Sequence, residues 1–224
     1  MKYLLITLTL LATGYWLLAN IVSAQQSNQV IITWQANNYY PSDYQGKALA
    51  TNFTPVSMSV ELLKDGRLQD LSQASIGWFI DGKFINRAQG LKEILFTTNK
   101  IEGNNYFIQV NIDLNQETFE GTARININSL QIVIENPHPN STVQGGRSLI
   151  VQAIPYFFNI TSLADLDFSW KINGKKIAIN GNQITLDLGT VQPNSINAVQ
   201  IDLFLQNKLK LLEISKGQLK LNVR

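Results

Sequence analysis

The stretch IGWFIDGK occupies residues 76–83, and a close echo, FSWKINGK, occupies residues 168–175. Apolar residues alternate with other residues in both stretches, which is the period of a β-strand with one buried face. Trp78 and Trp170 hold the same position in the two stretches and share that inner face. Each Trp is therefore predicted to be a structural core residue on the inner face of a strand.

Both stretches then reach a dipeptide that favours a tight turn, Asp81-Gly82 in the first and Asn173-Gly174 in the second. Asp-Gly and Asn-Gly are strong signals of a two-residue type I′ hairpin, because both central residues of that turn need positive φ. Asn stands in the echo where Asp stands in the first copy. The requirement at this position is therefore turn geometry, and a catalytic or metal-binding carboxylate is not predicted.

The surroundings of the two stretches repeat as well, with about seven short alternating segments in each half of the mature chain. Turn residues separate the segments, and no run shows a helical period longer than two turns. This pattern predicts an all-β chain of two tandem β-sandwiches, at residues 28–129 and 130–224. The linker between them is predicted to be very short, which favours a semi-rigid rod.

A Trp on the third strand of a seven-stranded sandwich resembles the immunoglobulin fold, and Trp78 and Trp170 match that position. The Trp-x-x-Asp/Asn-Gly spacing resembles bacterial Ig-like and PKD-like domains. The chain departs from antibody domains in having no intersheet cysteines. As a whole it is also similar to uncharacterised exported two-domain proteins of uncultivated bacteria. The resemblance implies two Ig-like domains and an exported protein, and it implies no activity.

The first 24 residues are interpreted as an export segment outside the fold. Lys2 precedes a long apolar run, and Val22-Ser23-Ala24 fits a signal-peptidase site that would leave Gln25 as the first mature residue. The run at residues 3–22 is also long enough for an uncleaved membrane anchor. Both alternatives predict an extracytoplasmic location: secreted, at the cell surface or membrane-anchored.

Composition removes several classes of function. The chain has no Cys and a single His, His138, so disulfides, thiolate or His-cluster metal sites and Ser–His catalysis have no basis. A net charge of +2 gives no nucleic-acid footprint. No phosphate-binding or calcium-loop motif occurs in the sequence. We therefore predict no enzyme activity, no metal, no cofactor and no nucleic-acid partner.

The loop NNYYPSDYQGKAL at residues 37–49 has no counterpart in the second unit. Tyr39, Tyr40 and Tyr44 are the candidate ligand- or partner-binding residues, because loop aromatics stack on sugars or anchor protein interfaces. The alternative is that these rings cover the end of the first sandwich or the interdomain joint.

Lysines accumulate at the end of the chain, at Lys208, Lys210, Lys216 and Lys220. This basic bias suggests contact with an anionic surface, such as a cell-wall polymer or lipid headgroups. The alternative is that lysines on outer strand faces prevent edge-to-edge pairing of sheets.

These features predict an exported, non-enzymatic structural or interaction protein that presents two Ig-like domains at the cell surface or envelope. Its partners would be other envelope or extracellular proteins. One alternative is a carbohydrate-binding module that uses the loop at 37–49, with a glycan as ligand. Another is an accessory subunit of an envelope assembly, such as a pilus or secretion apparatus, with exposed sheet edges supplying the contacts.

Overall fold

The computed structural model describes residues 28–136, 138, 140–190 and 197–224. Strands make up nearly all the regular structure of these residues, with one 3₁₀ turn at Leu163–Asp165. The strands are β1 (Gln29–Ala36), β2 (Pro55–Lys64), β3 (Arg67–Leu68), β4 (Ser75–Ile80), β5 (Lys83–Gln89), β6 (Glu93–Thr97), β7 (Asn105–Leu114), β8 (Glu117–Asn126), β9 (Gln131–Glu135), β10 (Thr142–Val143), β11 (Ser148–Tyr156), β12 (Leu166–Ile172), β13 (Lys175–Lys176), β14 (Gln183–Asp187), β15 (Asn197–Asn207) and β16 (Ile214–Val223).

Strands β1 to β8 form the first sandwich. In one sheet, β2 pairs with β1 along one edge and with β3 and β6 along the other. The facing sheet has the order β5-β4-β7-β8, and every pairing in it is antiparallel. Strands β2, β4 and β7 alternate between buried and more exposed residues, as expected for strands that cover a core with one face.

Strands β9 to β16 repeat this arrangement in a second sandwich. One sheet has the order β9-β11-β14, and the other has the order β10-β16-β15-β12-β13. The short strand β10 runs parallel to β16, and the other pairings are antiparallel. Apart from β3 and β10, the strand order matches that of the first sandwich, with the two-residue strand β13 in the place of β5, so the sequence repeat corresponds to a structural repeat.

Each sandwich has its own cluster of buried side chains, one centred on Trp78 and the other on Trp170. Two facing antiparallel sheets with these connections, and a Trp of the third long strand in the core, define immunoglobulin-like β-sandwiches. The predicted all-β, Ig-like fold class is therefore confirmed. Strand β5 is the second strand of the hairpin predicted at Asp81-Gly82, and its sequence KFINRAQ shows no alternation because all seven of its residues are exposed.

The repeat extends to a close contact between the first and last strands of each sandwich. A Cβ atom on Gly121 of β8 would lie 2.5 Å from Val30 Cγ1 and 2.7 Å from Val30 Cβ on β1. A Cβ atom on Gly217 of β16 would lie 3.1 Å from Ile134 Cδ1 on β9. Only glycine allows this approach in the first sandwich, whereas the flexible end of Ile134 leaves some room in the second.

We expect Gly121→Ala to destabilise the first sandwich by about 1–3 kcal/mol, because the new methyl group overlaps a stiff β-branched side chain. The measurement is the midpoint of urea unfolding. Gly217→Ala is the matched control and should cost less. The double variant Gly121→Ala/Val30→Ala should recover part of the loss. Equal effects of the two glycine substitutions, with no recovery, would contradict the close packing of β1 on β8.

Candidate functional site

The loop at residues 37–49 lies at the joint between the two sandwiches, where its backbone pairs with the second one. The Tyr39 N–H donates to the Phe158 carbonyl oxygen at 2.8 Å, and the Phe157 N–H donates to the Tyr39 carbonyl oxygen at 2.6 Å. The Tyr39 side chain packs against the core of the second sandwich, and this burial raises its pKa. The loop therefore joins the β1–β2 connection to the segment between β11 and β12.

Tyr44 adds aromatic contacts to this joint. Its ring lies 5.5 Å from the Tyr156 ring at 69° and 5.7 Å from the Phe157 ring at 71°, both edge-to-face arrangements. The Tyr40 ring is 5.8 Å from Tyr44 and tilted by 57°. Of the three predicted binding residues, only Tyr40 is classed as exposed. The rings of Tyr40 and Tyr44 do not share a plane, and Tyr39 and Tyr44 are engaged by the second sandwich.

Phe157 is the central side chain of the joint. It is 2% exposed, and it belongs to neither of the two core clusters. Its φ is +66°, which is unusual for a residue with a large side chain. The Phe157 carbonyl oxygen accepts hydrogen bonds from Thr51 Oγ1 at 3.0 Å and Asn38 Nδ2 at 3.2 Å, both from the first sandwich. Contacts from both sides hold this residue in its strained conformation.

A polar network completes the joint around Glu213, whose carboxylate is almost fully buried. Glu213 accepts from the Asn159 N–H at 3.0 Å, from Asn159 Nδ2 at 2.6 Å and from Asn207 Nδ2 at 2.9 Å. Asn159 Nδ2 also donates to the Asn52 carbonyl oxygen of the first sandwich at 2.9 Å. These bonds satisfy the buried carboxylate and connect it to the other sandwich.

Lys210 makes a second polar connection across the joint. Its Nζ donates to the Phe53 carbonyl oxygen of the first sandwich at 3.2 Å and lies 3.7 Å from Glu213 Oε1. The chain between β8 and β9 is held as well, because the Asn128 N–H donates to the Ala50 carbonyl oxygen at 2.8 Å. The joint thus combines paired backbone, aromatic packing and a buried polar network.

The two Trp residues lie in the cores and make matching hydrogen bonds. Both are fully buried. The Trp78 Nε1–H donates to the Leu91 carbonyl oxygen at 2.9 Å, and the Trp170 Nε1–H donates to the Gly181 carbonyl oxygen at 2.8 Å. Each indole therefore fills a core and ties the third long strand to the connection that follows it.

The hairpin residues also match between the two sandwiches. Positive φ occurs at Asp81 (51°) and Gly82 (73°), and again at Asn173 (49°) and Gly174 (78°). Asp81 Oδ1 accepts from the Phe107 N–H at 3.0 Å, and Asn173 Oδ1 accepts from the Gln200 N–H at 2.9 Å. A carboxylate oxygen and an amide oxygen are both suitable at this position, because the turn residue has to accept a hydrogen bond from an N–H of the neighbouring strand.

Asp81 has an additional ion pair, because its Oδ2 lies 2.7 Å from Lys100 Nζ. Burial raises the pKa of Asp81, but the Lys100 ammonium and the Phe107 N–H lower it by more, and the resulting pKa is below its ordinary value. A carboxylate with a lowered folded-state pKa stabilises the fold above its unfolded pKa. That contribution disappears as the pH falls through the folded-state pKa.

We expect Asp81→Asn to keep the turn, since Asn retains the acceptor for Phe107, and to lose only the ion pair. The loss at pH 7 should stay below about 1 kcal/mol, because the pair is partly solvated. The difference from the wild-type chain should vanish at acid pH in urea unfolding series. Lys100→Met should reproduce this pH dependence. A difference that persists below about pH 2 would contradict the ion-pair explanation.

The loop at residues 37–49 also forms a cation–π contact with β1 that the sequence does not predict. Lys47 Nζ lies 3.4 Å from the centroid of the Trp34 ring, and burial lowers the Lys47 pKa. This cation–π pair ties the loop back to β1. A Lys 13 residues after a half-buried Trp gives no local signal of such a contact.

Several negative findings apply to the described ranges. No group of three or more His, Asp or Glu side chains there could hold a metal ion. His138 is exposed, and its N–H donates to Asn136 Oδ1. In the part of the chain that the structure covers, no helix is long and apolar enough to cross a membrane. The predicted export segment at residues 1–24 lies outside the described residues.

No family model matches this chain, and no curated protein matches it. Among solved structures it is similar to three N-terminal domains of the Highly Immunogenic Outer Capsid protein (Hoc) of bacteriophage RB49, with 10% identity and a TM-score of 0.45. That match covers 88% of this chain and 59% of the Hoc chain, so this chain spans less than two thirds of its relative.

Two other similar structures have lower TM-scores. The fibronectin(III)-like modules of CbhA from Clostridium thermocellum match with 11% identity over 85% of this chain and 93% of that chain, at a TM-score of 0.29. A Dscam isoform structure matches with 15% identity over 86% of this chain and 47% of that chain, at a TM-score of 0.32.

Proposed function

We propose that this chain is an exported, non-enzymatic structural or interaction protein that presents two Ig-like domains, residues 28–129 and 130–224, in one preset orientation at the cell surface or envelope. The observation that carries the proposal is the backbone pairing of Tyr39 with Phe157 and Phe158. Two independent domains on a flexible linker would not require such pairing. A protein that presents two binding surfaces requires it, because the pairing fixes the angle between them.

The construction of the joint supports this proposal. Interdomain contacts within a chain are commonly polar and permit relative motion. Here a buried Phe, a buried carboxylate and paired backbone lie together between the sandwiches. Opening the joint would expose the Phe157 ring and break the hydrogen bonds that cross it, from Asn159 Nδ2 to the Asn52 carbonyl oxygen and from Thr51 Oγ1 to the Phe157 carbonyl oxygen. Such an opening carries a free-energy cost from both apolar and polar groups.

The carbohydrate-binding alternative receives less support from the geometry. A flat sugar-binding platform needs exposed rings in a common plane, and the Tyr40 and Tyr44 rings are inclined by 57°.

The assembly alternative relies on free sheet edges. The edge strand β5 has an extra residue, Ile85, between the pairs Trp78–Asn86 and Phe79–Phe84, and such a bulge hinders strand addition. We therefore favour presentation through a preset joint.

The test combines the native N-terminus with the partners of the intact protein. Mass spectrometry of the protein isolated from its cell should find Gln25 as the first residue or, for an anchored form, the uncleaved leader in the membrane fraction. Crosslinking in intact envelopes should yield a defined adduct, and Phe157→Ala should reduce that adduct. A cytoplasmic protein with its leader intact, or an adduct indifferent to Phe157→Ala, would contradict the proposal.

A further inference from the structure

The loop that joins β15 to β16, residues 207–213 counted from the last residue of β15, buries two polar side chains and exposes its leucines. Asn207 is 0% exposed and Glu213 is 3% exposed, whereas Leu209, Leu211 and Leu212 are 76%, 66% and 84% exposed. Soluble proteins expose single leucines routinely, but three within four residues form an apolar projection. This inversion suits a loop whose outer environment is apolar.

The loop is rigidly built, so the exposure of its leucines does not come from a lack of internal structure. Asn207 Oδ1 accepts from the Leu209 N–H at 2.9 Å and the Lys210 N–H at 3.3 Å. The Asn207 N–H donates to the Glu213 carbonyl oxygen at 2.9 Å, and Gln206 Nε2 donates to the Leu211 carbonyl oxygen at 2.8 Å. These backbone groups already have partners within the chain, as an apolar environment requires.

Lysines lie within and beside this loop, and two exposed carboxylates are close to it, because Glu102 lines the same cavity as Leu212 and Asp167 pairs with Gln206. Lys208 lies within the loop, Lys216 follows it on β16, Lys220 lies further along β16 opposite Gln200, and all three are exposed. Within the described residues they form no ion pair. The carboxylate of the loop, Glu213, is buried and bonded to Asn159 and Asn207, so it does not neutralise the surface. Projecting leucines with Lys208 and Lys216 beside them fit an apolar boundary that carries negatively charged groups.

The apolar surface continues across the joint onto the first sandwich. Leu212 and Ile214 share a cavity of about 330 Å³ with Phe53 and Ile101. Ile101 is 70% exposed. Apolar side chains of both sandwiches therefore lie beside the leucine-bearing loop, in a cavity whose shape depends on the preset joint.

We propose that the loop at residues 207–213 inserts its leucines into the interfacial region of an anionic lipid membrane. A bilayer accommodates separately projecting side chains without a complementary pocket, whereas a protein partner would need one. Lysines near the surface attract anionic headgroups, and buried leucines add apolar contact. This contact is separate from the predicted anchoring through residues 3–22, because it uses a loop of the folded second sandwich.

The absence of Cys makes a local test available in the full chain. Leu212→Cys is labelled with an environment-sensitive NBD fluorophore and mixed with vesicles of phosphatidylcholine alone or with about one-third phosphatidylglycerol. With the anionic vesicles, we expect a blue-shifted, brighter NBD signal that lipid-bound doxyl groups quench. Leu68→Cys is the matched control, since Leu68 is an exposed leucine (63%) in the first sandwich. Its label should stay in water even if residues 3–22 insert.

Two further variants of the labelled protein separate the apolar contribution of the leucines from the electrostatic contribution of the lysines. Leu209→Ser/Leu211→Ser should weaken the vesicle response roughly ten-fold or more, because two apolar side chains are removed. Lys208→Gln/Lys216→Gln/Lys220→Gln should weaken it by a similar factor on anionic vesicles only. No response at Leu212 on anionic vesicles, an equal response at Leu68, or a response indifferent to both variants would overturn the proposal in favour of a protein partner. The envelope crosslinking test stands independently of this outcome.

Discussion

Trp170→Ala is expected to destabilise the second sandwich by about 3–5 kcal/mol and to leave the first sandwich folded. The loss has two sources. The cavity left by a fully buried indole cannot be refilled by the surrounding strands, and the Gly181 carbonyl oxygen loses its hydrogen-bond donor. The same substitution at Trp78 should destabilise the first sandwich in the same way, because the environment is repeated there.

Hydrogen exchange followed by mass spectrometry checks this prediction strand by strand. In Trp170→Ala, the amides of β15 should lose protection while those of β7 keep it, and Trp78→Ala should reverse the pattern. Trp34→Ala is the control, since Trp34 is only partly buried at the edge strand β1, and its effect should be smaller. Uniform loss of protection in both sandwiches would contradict two separate cores.

Phe157→Ala is expected to loosen the joint and to cost about 3–5 kcal/mol of total stability, because the ring is buried between the two sandwiches. The substitution removes the contact with Tyr44 and leaves the cores around Trp78 and Trp170 intact. The expected outcome is therefore a loss of coupling: two separate unfolding transitions in calorimetry, where the wild-type chain shows a more cooperative profile.

Phe157→Gly provides a matched comparison for the backbone. The residue has a φ of +66°, a conformation that costs L-amino acids about 1–2 kcal/mol and costs glycine almost nothing. The glycine variant should therefore be less destabilised than the alanine variant, although both lose the ring. A glycine variant that is clearly worse than alanine would show that the left-handed conformation of Phe157 is not maintained in solution.

The sequence could predict the two sandwiches because their determinants are local and repeated. Alternation around Trp78 and Trp170, followed by Asp-Gly and Asn-Gly, fixes strand, face and turn within a few residues. The hairpin between β7 and β8 carries no such turn signal in the sequence, because its turn is Asn115-Gln116. Its central residues, Asn115 and Gln116, both have positive φ, and Gln is an uncommon choice for that position.

The joint could not be predicted to the same extent, because its contacts connect residues more than 100 positions apart. The sequence marks the Tyr-rich loop as unusual, because it has no counterpart in the second unit, but it does not distinguish a ligand-binding loop from a cover for the joint. The pairing of Tyr39 with Phe157 and Phe158 depends on where the second sandwich lies relative to the first. The hydrophobic periodicity of the sequence does not predict that position. The burial of Glu213 could not be predicted either, because KLKLLEI resembles the end of an ordinary amphipathic strand.

The central claim, a preset orientation of the two sandwiches, is tested most directly by a distance measurement between them. Glu120 and Lys171 are exposed, lie on different sandwiches and make no contact described at the joint, so Glu120→Cys/Lys171→Cys can carry two spin labels. Double electron–electron resonance should give one narrow distance distribution for this pair, and Phe157→Ala should broaden it. A broad distribution that Phe157→Ala leaves unchanged would contradict the preset joint.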